Sequence, residues 1–342
     1  MPDTRTAAAP SAPTPQEQIL GVVHAHWQGR AVAVAAELEL ADLLADGPLH
    51  VDALAAHTKT DPSSLFRVLR VLESTGIFTQ VSPHVFANTP ASECLRKNVP
   101  GSQWAWVRTC LSTDAVAFSG WTGLMQAVKT GGIAFDQVCG CSVWDYLQQN
   151  PQKGAIFNEA MRSLSALITP AVTASYDWSR FSAIADIAGG MGTQLVAILD
   201  AHLNCRGILF DRPHVVAGAI RHERMDVVGG DIFESVPAGA DAYLLRWIIH
   251  DWAEPKALAI LDNVRKAMKP GARLVLVESV IRDTPDFDMG KWMDVNMLVM
   301  VGGRERTAAE YGELFAKAGF ELEQIIPTPS PLSIIIGRPR PE

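Results

Sequence analysis

The chain lacks the marks of several large protein classes. No apolar run approaches the ~18 residues that a membrane-spanning helix needs. Lysine and arginine number 29 against 37 aspartates and glutamates, a formal net charge of −8. That balance disfavours nucleic acid or an anionic membrane as the main partner. The five cysteines (Cys94, Cys110, Cys139, Cys141 and Cys205) are odd in number and form no C-x-x-C pair. Cys139-Gly140-Cys141 has no nearby His or Cys set to complete a metal site. Free thiols in a reducing cytosol are the plainer reading. Met1 to Pro15 contains no apolar core of a signal peptide. A cytoplasmic location is therefore expected.

What the chain has is length and apolar content. Its 342 residues are 48% hydrophobic and predict about two domains with a sizeable core. Residues 1–16 hold four prolines among Ala, Thr and Ser and read as a disordered tail. From Gln16 to Ala45 the apolar residues recur at helical spacing, until Gly47-Pro48 stops them. Asp61-Pro62 opens another helix, with Asp as N-cap and Pro in the first turn. Gly76 to Phe86 reads as a small hairpin. Helices followed by a hairpin make a winged-helix-like unit over 17–100, and that raises a DNA-binding regulator as a rival reading. Its candidate recognition helix carries Arg67 and Arg70 but also Asp61 and Glu73, without a strongly basic surface. A helical region rich in aromatics follows over 101–176, and an α/β domain over 177–342.

Chemistry concentrates in that last domain. Strands are expected at 182–187, 207–210, 225–228, 242–245, 273–277, 320–326 and 332–337. The last two lie close enough, across a short Pro-containing turn, to be antiparallel. Three successive strands end in acids: Asp186, Asp211 and Asp231. The first runs into Ala188-Gly189-Gly190-Met191-Gly192, where the third glycine of G-x-G-x-x-G is missing. A carboxylate at the end of that strand would repel a pyrophosphate but suits a ligand with an ammonium group. Asp211 follows Gly192 by 19 residues, the spacing at which an acid meets ribose hydroxyls. Asp231 precedes Ile232 and Phe233, as an adenine pocket would require. The fourth strand runs into Arg246 and then His250-Asp251-Trp252, placing an imidazole where open α/β sheets bind ligands. Glu278 ends the fifth, and Glu305 follows Gly302-Gly303. Either glutamate could orient the imidazole; either reads equally as a solvated surface acid.

In this order the segments Asp186–Gly192, Phe210–Val216, Gly229–Phe233, Leu245–Trp252, Leu276–Ser279 and Gly302–Thr307 resemble the class I S-adenosylmethionine (SAM)-dependent O-methyltransferases. The dimeric members are meant, caffeate-type and bacterial natural-product enzymes. Leu43–Pro48, Asp61–Phe78 and Phe86–Pro90 extend the resemblance to residues 17–340. It implies a Rossmann-like seven-stranded sheet with the last strand antiparallel, and an N-terminal winged-helix-like domain that makes a homodimer and contributes to the partner's active site. It implies SAM bound with its adenine between Ile232 and Trp252, its amine on Asp231, its ribose on Asp211 and its amino acid end near Gly189. Arg246 would support that side of the site. The acceptor pocket would include Phe157, Met161, Asn296 and Met300, with Asn296 bonding a substrate group or serving as a cap or water bridge. His250 would take the phenolic proton, held by Glu305 with Glu278, as the methyl passes to oxygen and S-adenosylhomocysteine is left. No metal is expected, because the sequence shows no acidic metal cluster. Some relatives bind SAM yet catalyse hydroxylation, decarboxylation or a pericyclic reaction. Retention of His250, Glu278 and Glu305 favours methyl transfer to a hydroxyl of a small aromatic natural product.

Overall fold

The computed structural model describes residues 13–341. It divides into two compact units, one ending at Ala115 and one starting at Val116.

In the first unit, a helix runs Pro15–Glu37 behind a capping box between Thr14 and Glu17. Pro15 and Gln16, expected in the tail, are therefore helical. Residues 1–12 of that expected tail lie outside the described residues. The helix ends where Leu38 and then Glu39, in the left-handed conformation, turn the chain into a short helix Leu40–Leu43. Asp61 caps the helix Pro62–Ser74, its carboxylate accepting from the Ser64 amide at 2.7 Å. The strands β1 (Leu49–His50), β2 (Phe78–Ser82) and β3 (Val85–Asn88) pair antiparallel in the order β1-β3-β2. The wing thus has a third strand that the hairpin pattern did not announce. Leu54, Leu69, Leu72 and Phe86 are fully buried at its centre. Helix Trp104–Leu111 belongs here too: the Trp104 indole donates to the Ala36 carbonyl at 2.8 Å, and Arg30 donates to the Leu111 carbonyl. Outside this core, Ile19, Val22 and Trp27 on the first helix are 69%, 69% and 61% exposed.

The second unit carries β4 (Ala183–Ile187), β5 (Arg206–Asp211), β6 (Met225–Gly229), β7 (Ala242–Arg246), β8 (Arg273–Glu278), β9 (Val280–Ile281), β10 (Arg306–Thr307), β11 (Phe320–Pro327) and β12 (Ser333–Pro339). Seven of them form one sheet in the order β11-β12-β8-β7-β4-β5-β6. The stretch from β8 to β6 is parallel, and β12 runs antiparallel to both β8 and β11. The central strands are buried along nearly their whole length, which explains their unbroken apolar sequence. Helices Glu254–Ala267 and Ala308–Lys317 cover one face through Ile260, Leu261 and Phe315. Helices Pro151–Ala174 and Thr193–Ala201 cover the other through Val172, Leu195 and Ile198. After β4 the chain steps through β5 to β6 on one side. It then returns to lay β7 and β8 on the other side. The switch between β4 and β7 opens a crevice at the carboxyl ends of the strands, the place where such sheets bind ligands.

Candidate active site

The strand ends around this crevice hold most of the residues singled out from the sequence. At the end of β4, Asp186 is buried beneath the glycine turn; a Cβ on Gly189 would come within 2.5 Å of its carboxyl group. Close approach therefore demands glycine at 189. Ala188 beside it sits at φ +55, in the left-handed region where a Cβ costs ~1–2 kcal/mol. Burial pushes the Asp186 carboxyl up to about 7, against the pull of Arg246, and its Oδ2 has no hydrogen-bond partner.

β5 lies beside β4 and brings Asp211 to the same edge. The Asp211 Oδ2 accepts from the Gly190 amide at 2.8 Å, and Oδ1 accepts from the Arg212 amide at 2.6 Å. The acid thus braces the glycine turn while retaining acceptor capacity, since a carboxylate offers about four lone-pair sites. Asp211 is also in register with Gly229 on β6, just before Asp231. The Asp231 Oδ1 accepts from the Phe233 amide at 2.8 Å. Ile232 and Trp252 both pack partly buried on the same core cluster, and Trp252 meets the Phe233 ring edge-on at 4.9 Å.

Arg246 ends β7. Its guanidinium donates to Thr169 Oγ1 at 3.0 Å, to Gln194 Oε1 at 3.2 Å and to Ser165 Oγ. Burial lowers its pKa, and the charge of Asp186 opposes that. Ser165 continues the helical row Phe157, Met161, Ser165, each four residues apart. Phe157, two turns before Ser165, meets the Trp144 ring edge-on at 6.2 Å between centroids.

His250 follows on the short helical turn Ile249–Asp251 and is buried. Its Nδ1 lies 2.7 Å from Glu305 Oε1 and 3.8 Å from Glu278 Oε2. Both glutamates are themselves buried. Glu278 Oε1 accepts from the Ile248 and Ile249 amides at 3.0 and 2.9 Å, fixing the turn that carries the imidazole. Glu305 is placed by its own amide, which donates to Asp294 Oδ1 at 2.9 Å. Gly303 lets this loop press against the turn: a Cβ there would fall 1.8 Å from the His250 carbonyl oxygen. On the other ring edge, Nε2 lies 3.4 Å from Asp251 Oδ1. Burial by itself would lower the imidazole pKa. The carboxylates of Glu278, Asp251 and Glu305 outweigh that and push it up to about 10. Burial holds the Asp251 carboxyl up at about 6, and burial together with Glu305 holds Glu278 up at about 7.

Nothing in the sequence shows that Asp251 turns back onto the imidazole beside it, and the contacts by which Asp294, Ser165, Thr169 and Gln194 set their partners join separate segments. Trp247 carries no local signal either. It sits at φ +56, with its ring nearly parallel to that of His250, 6.5 Å between centroids. Of the residues expected in the acceptor pocket, Met300 packs on helix Val116–Thr122, and Asn296 Oδ1 accepts from the Trp121 indole at 3.0 Å. Among the described residues, His250, Glu278 and Glu305 also form a set whose potential ligand atoms all lie within 4.8 Å, so the fold assembles a metal-capable trio that the sequence did not show. A metal at Nδ1 would have to displace the hydrogen bond between His250 and Glu305.

A Rossmann-like sheet whose last strand is antiparallel, with a glycine turn, three acids and a histidine at its carboxyl edge, defines a class I SAM-dependent methyltransferase. Comparison with known sequences narrows this. The pattern of the O-methyltransferase domain matches residues 121–321, and that of the O-methyltransferase dimerisation domain matches residues 20–98. The chain is 38% identical over 328 residues to the phenazine O-methyltransferase PhzM of Lysobacter antibioticus, covering 94% of this chain and 95% of that one. The crystal structure of LaPhzM superposes with a TM-score of 0.89 at 38% identity, over 95% of this chain and all of the other. The O-methyltransferase NcsB1 from neocarzinostatin biosynthesis, solved with SAM and 2-hydroxy-5-methyl naphthoic acid, gives 0.78 at 31% identity over 91% and 95%. The chain belongs to the O-methyltransferase family, and it is a SAM-dependent O-methyltransferase. Among the described residues, no helix is long and apolar enough to cross a membrane.

Proposed function

We propose that the enzyme methylates a phenolic hydroxyl of a polycyclic aromatic natural product, with His250 as general base and without a metal. The observation that carries this reading is the 2.7 Å contact between His250 Nδ1 and Glu305. An imidazole whose Nδ1–H donates to a carboxylate presents its Nε2 lone pair as the proton acceptor. The buried carboxylates favour its protonated form, and the pKa of about 10 matches that of an ordinary phenol, about 10. Proton transfer between matched groups has little uphill cost. Glu305 fixes the tautomer. Glu278 fixes the turn and adds charge. Asp251, at Nε2, adds further stabilisation of the imidazolium.

The residues at the sheet edge fit SAM. Asp186 holds an unpartnered carboxylate oxygen under the glycine turn, suited to the charge of an ammonium group. Asp211 has acceptor capacity for ribose hydroxyls, and Asp231 with Ile232 and Trp252 offers an acceptor and flat walls for adenine. Arg246 holds the crevice floor to two helices. When bound, SAM supplies a methyl group on a sulfonium centre, ready for displacement by oxygen. Phe157, Met161, Asn296 and Met300 would line the acceptor pocket, an aromatic and thioether surface for a flat ring system.

The reading extends to a cytoplasmic homodimer formed through residues 17–100. Its support is the match to the dimerisation domain and the apolar side chains that the first helix leaves exposed. The test of the function is incubation with SAM and a panel of phenols, followed by mass spectrometry. A gain of one methyl on oxygen is expected for a polycyclic phenol. Loss or gain of oxygen or of carbon dioxide would instead assign the site to non-methylating chemistry.

A further inference from the structure

Asn296 is the polar residue on an otherwise apolar face, and its amide is already half committed. The Trp121 indole nitrogen lies 3.0 Å from Asn296 Oδ1. An indole N–H can only donate, so the amide oxygen must face it, and the orientation of the amide is set by chemistry. The amide nitrogen therefore points away from Trp121. Its recorded neighbour is the Met293 thioether at 3.8 Å, a weak acceptor that can occupy at most one of the two N–H groups. The indole has little room to leave. Helix Val116–Thr122 sits so close to helix Met289–Met300 that a Cβ on Gly120 would lie 2.8 Å from the Met300 sulfur.

We propose that Trp121 locks Asn296 as a donor-only contact, so that the pocket selects phenols carrying a hydrogen-bond acceptor, a carbonyl oxygen or a ring nitrogen, at a second position. Trp121 is then a positioning residue and Asn296 the specificity contact. A hydroxyl at that second position could still accept, but a ring C–H could not. The inference rests on the acceptor pocket proposed above and deepens it.

The test uses the full chain and two phenols of one shape, 2-hydroxyphenazine and 2-hydroxyanthracene. Ring nitrogens in the first replace C–H groups in the second. The kcat/KM ratio for the pair is compared among wild type, Asn296→Leu and Trp121→Phe, which cancels the different acidities of the phenols. Removing one neutral hydrogen bond should cut the ratio roughly 3- to 10-fold in Asn296→Leu, mainly through the KM of the phenazine. Trp121→Phe should cut it less, because the freed amide can still rotate to donate. The anthracene should respond little to either change. Thermal unfolding of each variant checks that the helices remain docked. A ratio unchanged in both variants would overturn the inference and leave the bond as a tie between helices, while methylation of either compound would leave the proposed function standing. If neither is methylated, calorimetry with the S-adenosylhomocysteine complex reads the same preference. Tighter phenazine binding that Asn296→Leu abolishes supports the inference, and equal binding in the wild type overturns it.

Discussion

His250 Nδ1 and Glu305 Oε1 lie 2.7 Å apart although 55 residues separate them in the chain. Both are buried, and the pair is reinforced by Glu278 from β8 at 3.8 Å. Replacing Glu305 by Gln keeps its shape and removes its charge. The expected result is a fall in the imidazole pKa and a lower rate at alkaline pH. The acid limb of the pH–rate profile should move toward lower pH. An unmoved profile would mean that Glu305 does not reach the reacting proton.

The pH dependence of the wild type follows from the same cluster. The active form of a base is the unprotonated one, so a pKa raised to about 10 means that activity falls as pH falls below it. With a phenol of ordinary acidity, kcat/KM should keep rising between pH 7 and 9. An ordinary imidazole would have finished titrating near 7 and given a plateau there. A plateau from pH 7 upward would contradict the raised value.

Cofactor binding tests the sheet edge. Asp211→Ala should weaken SAM binding by roughly 1–3 kcal/mol, the scale of losing hydrogen bonds to a charged group. Asp211 also braces the Gly190 amide. Asp211→Asn, which keeps one acceptor oxygen, should therefore lose less. Calorimetry showing wild-type affinity in both variants would place the nucleoside elsewhere.

Much of this was legible before the fold was known, and for a physical reason. Central parallel strands are buried on both faces, so β4, β5, β7 and β8 read as continuous apolar runs, and each begins and ends within a residue or so of the expected position. The strand-end acids Asp186, Asp211 and Asp231 stood out because a charge abruptly interrupts such a run. What stayed hidden depends on contacts between distant segments. β1 has only two residues, too few to show alternation. The left-handed Glu39 breaks a helix whose apolar spacing runs on past it. Glu278 and Glu305 could each have been a surface acid until the loop at Gly303 pressed them around the imidazole. The commitment of Asn296 to Trp121 spans 175 residues and has no local signature.

Chelators address the trio His250, Glu278 and Glu305. If its role is the hydrogen-bonded base proposed here, EDTA should leave the rate unchanged. Strong inhibition, reversed by adding back a divalent ion, would make the trio a metal site and remove the base from the account.

Assembly can be tested at the first helix. Ile19, Val22 and Trp27 are exposed in the single chain. A stable dimer of the obligate kind would bury more than ~2,000 Å². Light scattering should give twice the chain mass at micromolar concentration, and Val22→Asp with Trp27→Asp should shift it toward the monomer. A fully active wild-type monomer would defeat the dimer.

The central claim is that His250 takes the phenolic proton, and the most direct measurement is the methyl-transfer rate of His250→Ala on phenols of graded acidity. A loss of ~10²–10⁴ is expected at pH 9 for a weakly acidic phenol, with SAM affinity retained. The loss should shrink as the phenol becomes acidic enough to ionise unaided. A near-wild-type rate on the weakly acidic phenol at pH 9, where part of His250 is unprotonated, would contradict it.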